Sequence, residues 1–211
     1  MQKNLSVDSP NSIFAEHGFE VIRDFVSSDI LSLFAYYVQM MGGEDWEHDT
    51  GKVIGGEEGA WANRYGDWFS EALMLKNQPQ VEAITGLSLL PTYSYLRIYG
   101  SNSVLPLHTD RDSCEVSVSM TVDYDSDHIW PLWSNSLSGQ LGSFILDRGD
   151  ALVYRGNRLP HMRNEFTTGK YWVQSFAHYV DANGSFADHK FDRRDKLGDP
   201  SVNSREITIE L

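Results

Sequence analysis

The sequence predicts a mainly β protein with flanking α-helices. From residue 91 onward, apolar and polar side chains alternate with a period of two, as in 93–99 and 116–122, which is typical of strands. Before residue 91, apolar positions three and four residues apart indicate helices. Hydrophobic residues make up 41% of the chain, the composition of a folded protein. Many short strands separated by turns favour an antiparallel sandwich or barrel, and we expect a double-stranded β-helix (jelly roll).

The first 90 residues are predicted to form a helical and strand support. Residues 18–23 alternate as a short strand, and 30–41 carry one apolar helical face that follows N-cap oxygens and ends at a Gly-Gly pair. The polar, glycine-rich stretch 44–60 is expected to be a mobile loop. A second helix is predicted over 67–76 and a short third helix over 79–84, which begins at a proline.

The strands of the core are expected between residues 91 and 180. They are predicted at 93–99, 116–122, 143–146, 151–154 and 171–180. We therefore expect a single domain over 1–211, with the support at 1–90, the jelly-roll core at 91–180 and a C-terminal extension at 181–211. That extension is polar and turn-rich to residue 203 and has a possible strand at 206–211.

Charge and composition exclude several classes of function. The formal net charge of −13 opposes binding to a nucleic-acid backbone. No apolar run approaches 18 residues and the first residues lack a signal-peptide core, so we expect neither a membrane span nor secretion but a cytoplasmic protein. The single Cys114 cannot form an internal disulfide, which fits a reducing compartment. The sequence does not predict an oligomeric state.

Three residues carry the strongest chemical signal. His108 and Asp110 form a His-x-Asp pair, and His161 follows about fifty residues later. Residues i and i+2 of a strand project to the same face, and a jelly roll can bring a distant strand back to meet them. Two imidazoles and a carboxylate are the set that holds non-haem Fe(II) by one face and leaves positions open. The pair alone is common by chance, so its context decides.

In this context the chain resembles the 2-oxoglutarate/Fe(II)-dependent dioxygenases, particularly their prolyl-4-hydroxylase-like branch. The resemblance covers roughly residues 93–180. It rests on the Leu-Arg-Ile-Tyr-Gly strand at 96–100, on His108-Thr109-Asp110, on the Gly-Asp turn and strand at 149–154, and on His161 followed by Gly-Lys-Tyr at 169–171. Together these elements are more specific than the His-x-Asp pair.

The resemblance implies cofactors and their ligands. Iron would bind His108, Asp110 and His161, with 2-oxoglutarate as co-substrate and O₂ as oxidant, releasing succinate and CO₂. The far carboxylate of 2-oxoglutarate requires a buried cation. Lys170 occupies the matching position, and Arg163 is the alternative. The remaining residues expected at the co-substrate are Tyr99 and Thr121.

The sequence defines the substrate less closely than the cofactors. Asp110 favours hydroxylation over halogenation, because halogenating relatives replace this carboxylate. The chain lacks the Gly-Gly-x-Thr stretch of the prolyl-hydroxylase-like pattern near residue 128, so we expect a small-molecule or peptidyl substrate without naming it. The arginines expected to contact it are Arg97, Arg111, Arg155 and Arg158. Two alternatives stay open: a non-catalytic cupin-like binding module, and a 2-oxoglutarate-independent metal enzyme on the same barrel.

Overall fold

The structure, a computed structural model, describes residues 13–40 and 60–198. Within these ranges it contains three α-helices and ten β-strands. The helices are α1 (Ile13–His17), α2 (Ser28–Met40) and α3 (Trp68–Thr85). The strands are β1 (Phe19–Ile22), β2 (Ala60–Tyr65), β3 (Leu89–Gly100), β4 (Leu105–His108), β5 (Val116–Ser126), β6 (Leu132–Asn135), β7 (Leu141–Phe144), β8 (Ala151–Tyr154), β9 (His161–Arg163) and β10 (Gly169–Asp181).

The strands form two antiparallel sheets. The larger sheet has the order β1-β8-β5-β10-β3-β2 and the smaller has the order β4-β9-β6-β7. From β3 to β10 the chain passes back and forth between the two sheets, and only β6 and β7 follow one another in the same sheet. This alternation is the pattern of a double-stranded β-helix, so the predicted fold class is confirmed.

The larger sheet separates two different environments. On β5, Val116, Val118 and Met120 point to the outer face and join the apolar core that includes residues of α2 and α3. The alternate residues, Ser117 and Ser119, point to the inner face between the sheets. Because the side-chain period of a strand is two, one strand serves both the core and the interior.

Helix α3 differs from the prediction. Two helices were expected, divided near Pro79, but α3 runs without a break from Trp68 to Thr85. Its N-terminus is capped by the Asp67 carboxylate, which accepts a 2.8 Å hydrogen bond from the Ser70 N–H. Proline removes only the bond to the carbonyl of Leu75, a half-exposed residue. Packing of the helix against the sheet therefore outweighs one lost hydrogen bond.

Other elements agree in part with the predictions. The helix expected at 30–41 and the strands expected at 18–23, 93–99, 116–122, 151–154 and 171–180 are present. The strand expected at 143–146 lies two residues earlier, as β7, and the short strands β2 and β6 had no prediction. His161 begins a strand, β9, as expected, but the His-x-Asp pair does not start one, since His108 ends β4 and Asp110 lies beyond it. The expected loop at 44–60, apart from residue 60, and the strand expected at 206–211 lie outside the described residues. None of the helices in the described ranges is long and apolar enough to cross a membrane.

Candidate metal centre

The smaller sheet positions the two candidate histidine ligands. His108 ends β4 and His161 begins β9, and the two residues are directly paired across these antiparallel strands. Their ring centroids are 4.2 Å apart. Asp110 follows β4 by two residues, where its backbone N–H donates to the carbonyl of Gly156 at 2.9 Å.

The three side chains converge as the sequence predicted. Asp110 Oδ1 lies 3.6 Å from His108 Nε2 and 3.6 Å from His161 Nε2. All three possible ligand atoms lie within 4.8 Å of one another. His161 is buried, whereas about a third of the His108 side chain is exposed. The group therefore lies at the boundary between the interior and solvent.

Backbone carbonyls fix the orientation of both imidazoles. His108 Nδ1 lies 2.8 Å from the Pro106 carbonyl oxygen, and His161 Nδ1 lies 3.0 Å from the Leu159 carbonyl oxygen. A carbonyl oxygen only accepts, so Nδ1 carries the proton and Nε2 keeps its lone pair. Such a partner on the second ring nitrogen is what orients metal-binding histidines.

The Asp110 carboxylate is held by its other oxygen. Asp110 Oδ2 accepts hydrogen bonds from Ser117 Oγ at 3.0 Å and from Tyr154 Oη at 3.4 Å. Burial favours the neutral acid, but at low pH a hydrogen bond from the protonated His108 and the positive charge of the nearby protonated imidazoles outweigh it, so the pKa of Asp110 lies well below its usual range. Oδ1 thus remains an ionised ligand directed at both histidines.

Gly156, in the loop after β8, lies directly against Asp110 and Ser117. A Cβ built on Gly156 would lie 2.3 Å from Ser117 Oγ and 2.4 Å from Asp110 Oδ2. Any side chain would displace the carboxylate or its hydroxyl donor. Glycine is required here because the backbone approaches the site closely.

A second set of potential ligands shares Asp110. Asp110, Cys114 and His178 also lie within 4.8 Å of one another. However, Ser117 Oγ lies 2.9 Å from His178 Nδ1, and the Tyr93 hydroxyl lies 3.1 Å from Cys114 Sγ. Burial lowers the pKa of His178 to about 4 and raises that of the Cys114 thiol. We therefore assign the His108–Asp110–His161 set as the candidate centre and regard His178 as part of its support.

Arg163 lies on the inner face, two residues after His161 on β9. Its side chain is fully buried between Trp130 and Trp172, whose ring centroids lie 4.8 and 5.5 Å from the guanidinium carbon. It donates to the Trp130 carbonyl and, at 3.2 Å, to Gln174 Oε1. No acidic side chain in the ranges 13–40 and 60–198 pairs with it. Burial lowers the pKa of Arg163 to about 10, so it stays charged at neutral pH.

Lys170 lies in a different place from that required of a buried anchor. It is the second residue of β10, its side chain is 79% exposed, and its ammonium pairs with Asp125 at 2.9 Å. β10 enters the interior only after this point, at the buried residues Trp172 and Gln174. The sequence spacing from His161 therefore did not identify a buried cation, whereas the alternative, Arg163, is one.

The other predicted co-substrate residues lie around Arg163. Thr121 is buried and donates to the Leu146 carbonyl at 3.1 Å and to Gln174 Oε1 at 3.4 Å. Tyr99 is buried in the same aromatic cluster and meets Trp130 edge-on, with ring centroids 5.1 Å apart. The interior thus contains a cluster of buried polar side chains around Arg163, two residues after His161 on β9.

The four arginines predicted for the substrate do not lie together. Arg97 is buried on the inner face, with its guanidinium carbon 4.9 Å from the Tyr99 ring centroid. Arg111 is half exposed and pairs with Asp192 at 2.7 Å. Arg155 packs over the ring of Phe14, which belongs to the outer core, and Arg158 is exposed. Only Arg97 faces the interior, and Arg111 lies at its edge.

Several supporting residues were not found from the sequence. Ser117, Tyr154 and Gln174 all occupy inner-face positions of the larger sheet, and each makes a hydrogen bond to a predicted site residue. A buried Gln between Val173 and Ser175 in a strand is an uncommon choice and could have been noticed. The two hydroxyls had no comparable signal, because serine and tyrosine are ordinary strand residues.

Comparisons with known proteins give a likeness of fold. No family model matches the chain, and no curated protein matches it by sequence. Among solved structures, it is similar to the non-haem α-ketoglutarate-dependent epimerase SnoN from nogalamycin biosynthesis, with a TM-score of 0.67, 11% identity and coverage of 89% of this chain and 88% of that one. A prolyl-4-hydroxylase from Pseudomonas putida gives a TM-score of 0.60 at 14% identity, over 80% of this chain and 95% of the other.

A third similar structure carries ligands. HygX from Streptomyces hygroscopicus, solved with nickel, 2-oxoglutarate and hygromycin B bound, gives a TM-score of 0.61 at 16% identity, over 85% of this chain and 88% of that one. At such identities the likeness concerns the fold. The chain therefore has the jelly-roll fold of solved 2-oxoglutarate-dependent non-haem oxygenases, as its motifs predicted.

Proposed function

We propose that the protein is an Fe(II)- and 2-oxoglutarate-dependent oxygenase that hydroxylates an unactivated C–H bond. The observation that carries the proposal is the convergence of His108, Asp110 and His161, with Oδ1 of the carboxylate 3.6 Å from both Nε2 atoms. Two neutral imidazoles and one carboxylate on one side of an ion match the preference of non-haem Fe(II) and leave positions for a co-substrate and O₂. The fold shared with oxygenases of this class supports the same function.

The donor atoms fit a divalent metal without rearrangement of their partners. Both Nδ1 atoms face carbonyl oxygens, and Asp110 Oδ2 accepts from Ser117 and Tyr154, so each ligand has one atom left for the metal. When bound, iron with 2-oxoglutarate supplies activation of O₂, with release of succinate and CO₂. The protein holds the ligands in place and excludes water from the buried side of the site.

Arg163 is the proposed anchor for the far carboxylate of 2-oxoglutarate. It follows His161 by two residues on one strand face, about 7 Å along the strand, a span that a five-carbon diacid can bridge. A buried guanidinium without a carboxylate among the described residues is costly, and an incoming carboxylate would relieve that cost. Gln174, Thr121 and Trp172 surround it with polar groups that fix its direction.

The proposed substrate is a small molecule or a peptidyl side chain. HygX, which has the same fold, was solved with hygromycin B bound, and another similar structure is named a prolyl-4-hydroxylase. Arg97, buried on the inner face beside Tyr99, is the candidate contact for an acidic group of the substrate. Hydroxylation is favoured by the presence of Asp110 at the carboxylate position.

An anaerobic titration tests the metal and co-substrate together. Addition of Fe(II) and 2-oxoglutarate to the purified protein should produce the visible charge-transfer band of a chelated 2-oxo acid. His161→Ala should abolish this band, because it removes one of the two imidazole ligands. His128→Ala is the matched control, since this exposed histidine lies two residues after β5. Retention of the band in His161→Ala would contradict the proposal.

The same titration separates the alternatives. Iron binding without the band would favour a 2-oxoglutarate-independent metal enzyme, and binding of neither would favour a cupin-like module without catalysis. Substrate-stimulated succinate release from amino-acid, peptide and small-molecule pools would then identify the substrate.

The anchor is tested by a pair of variants. Arg163→Met should weaken the binding of 2-oxoglutarate to the iron-loaded protein by about 100-fold or more, because it removes a buried charge partner. Lys170→Met should leave that affinity within about twofold, since an exposed ion pair at the end of the strand contributes little. The reverse order of effects would restore Lys170 as the anchor.

A further inference from the structure

The C-terminal extension packs against β3 and reaches Arg111, the residue that follows Asp110. Residues Ala187–Arg193 form tight turns, and Phe191, Asp192 and Arg193 have φ values of 56°, 55° and 62°. Arg194 then anchors the segment, since its buried guanidinium pairs with the buried Glu71 at 2.5 Å and donates to the Thr92 carbonyl at 3.1 Å. Residues 187–194 are thus held to α3 and β3.

Asp192 is directed inward by these turns. It is 6% exposed, and its Oδ2 accepts hydrogen bonds from the Tyr65 hydroxyl at 2.5 Å and from Arg111 at 2.7 Å. Arg111 is the residue immediately after the metal ligand Asp110. The extension therefore holds the side chain next to the metal carboxylate.

A second route connects the same residues through side chains. The Arg111 guanidinium carbon lies 4.5 Å from the centroid of the Tyr93 ring, which in turn lies 4.5 Å from the ring centroid of His178. Ser117 Oγ is 2.9 Å from His178 Nδ1 and donates to Asp110 Oδ2 at 3.0 Å. Movement of Arg111 would change both the backbone beside Asp110 and the packing behind its hydroxyl donor.

We propose that Asp192 is a positioning residue for the metal centre, acting through Arg111 on the carboxylate of Asp110. A buried carboxylate that accepts from a guanidinium and a phenol fixes Arg111 more firmly than solvent would. Groups that hydrogen-bond directly to metal ligands commonly contribute about 10–100-fold to metal affinity, so an effect transmitted through Arg111 is expected at the lower end of this range. The inference rests on the proposed metal centre but not on 2-oxoglutarate or on the reaction.

The experiment measures Co(II) affinity by visible absorption, together with thermal unfolding of the metal-free protein. Asp192→Asn keeps the volume and removes the charge, and it should weaken Co(II) binding by about tenfold while the protein remains folded. Asp188→Asn is the matched control, because Asp188 forms an exposed ion pair with Arg193 on the same segment, at 2.9 Å. It should change the affinity by less than about twofold.

Arg111→Met provides a second approach and a double-variant test. It should weaken Co(II) binding as much as Asp192→Asn, and the two changes together should weaken it no further, because both break one connection. If Asp192→Asn fails to fold, Arg111→Met alone carries the comparison with Asp188→Asn.

Two results would overturn the inference in distinguishable ways. Wild-type affinity in Asp192→Asn, or fully additive effects in the double variant, would contradict the positioning role and leave the metal centre intact. Failure of the wild-type protein to bind Co(II) would overturn the metal centre itself, and the positioning role with it.

Discussion

The two faces of the larger sheet are built from the same strands and serve different purposes. On the outer face of β5, Val118 and Met120 pack into the apolar core with the helices. On the inner face, Ser117 donates a hydrogen bond to Asp110 of the candidate metal centre, and Ser119 accepts one from Gln174 of the polar cluster around Arg163. Adjacent residues thus contribute to stability or to the site, depending only on the side of the strand. A substitution on one face should therefore affect mainly one property.

The largest loss of stability is expected on the outer face. Met120→Ala removes a side chain that is 2% exposed and should lower the free energy of unfolding by about 2–5 kcal/mol. Urea unfolding would measure this change, and Co(II) titration of the remaining folded protein should give the wild-type affinity. A large change in metal affinity would mean that the two faces are coupled.

The inner face should make stability depend on pH. Burial lowers the pKa of His178 to about 4 from the ordinary value of 6.5, so below pH 6.5 the unfolded chain takes up a proton that the folded protein does not. Stability should then fall as the pH decreases from about 6.5 to 4, by about 3 kcal/mol in total at roughly 1.4 kcal/mol per pH unit. The depressed pKa of His161, also caused by burial, acts in the same direction.

Unfolding of the metal-free protein at several pH values would test this dependence. His178→Gln should make the stability profile flatter between pH 6.5 and 4, whereas the outer-face variant Met120→Ala should shift the whole profile without changing its slope. An unchanged slope in His178→Gln would show that other groups cause the acid sensitivity.

Gly156→Ala should damage the site more than the fold. Its Cβ would lie 2.4 Å from Asp110 Oδ2, so the carboxylate must move. We expect a loss of about 10–100-fold in Co(II) affinity and a cost in stability of about 1–3 kcal/mol. Gly86→Ala serves as a control for the substitution type: no atom lies within 4 Å of its Cβ, and any cost there comes from its left-handed backbone.

The smallest change in stability is expected for Ser119→Ala. Ser119 Oγ accepts a 2.9 Å hydrogen bond from Gln174 Nε2, and its loss should cost about 1 kcal/mol. Because Gln174 orients Arg163, the affinity of the iron-loaded protein for 2-oxoglutarate should fall by severalfold. Calorimetric titration with 2-oxoglutarate would measure this affinity. An unchanged affinity would mean that the Ser119–Gln174 hydrogen bond does not influence the binding of 2-oxoglutarate at Arg163.

The residues that converge at the candidate metal centre could be found from the sequence more readily than those around them. The two-residue spacing of His108 and Asp110 suggested a common direction, although His108 ends β4 and Asp110 lies two residues beyond it, and the strand pattern before His161 implied a return of the chain. Lys170 could not be placed in the same way. Its spacing from His161 matched the family pattern, but spacing does not tell where a strand enters the interior. Lys170 lies at the exposed start of β10.

The helical part shows a different limit. The helix through Pro79 was predicted as two helices because the local rule for proline was applied without the packing that outweighs it. The short strands β4 and β9 have four and three residues, too few for alternation to be recognised, although they carry His108 and His161. Contacts of the C-terminal extension, such as Asp192 with Arg111, join residues 81 positions apart and leave no local pattern.

The unmatched charge of Arg163 has a consequence for the life of the protein in the cell. A buried guanidinium without a carboxylate partner makes the ligand-free protein less stable than its complex. The free energy of unfolding should therefore increase as the concentration of a diacid that binds Arg163 increases. Proteases degrade chains mainly while these are unfolded. We therefore expect the half-life of the protein to follow the concentration of the proposed co-substrate.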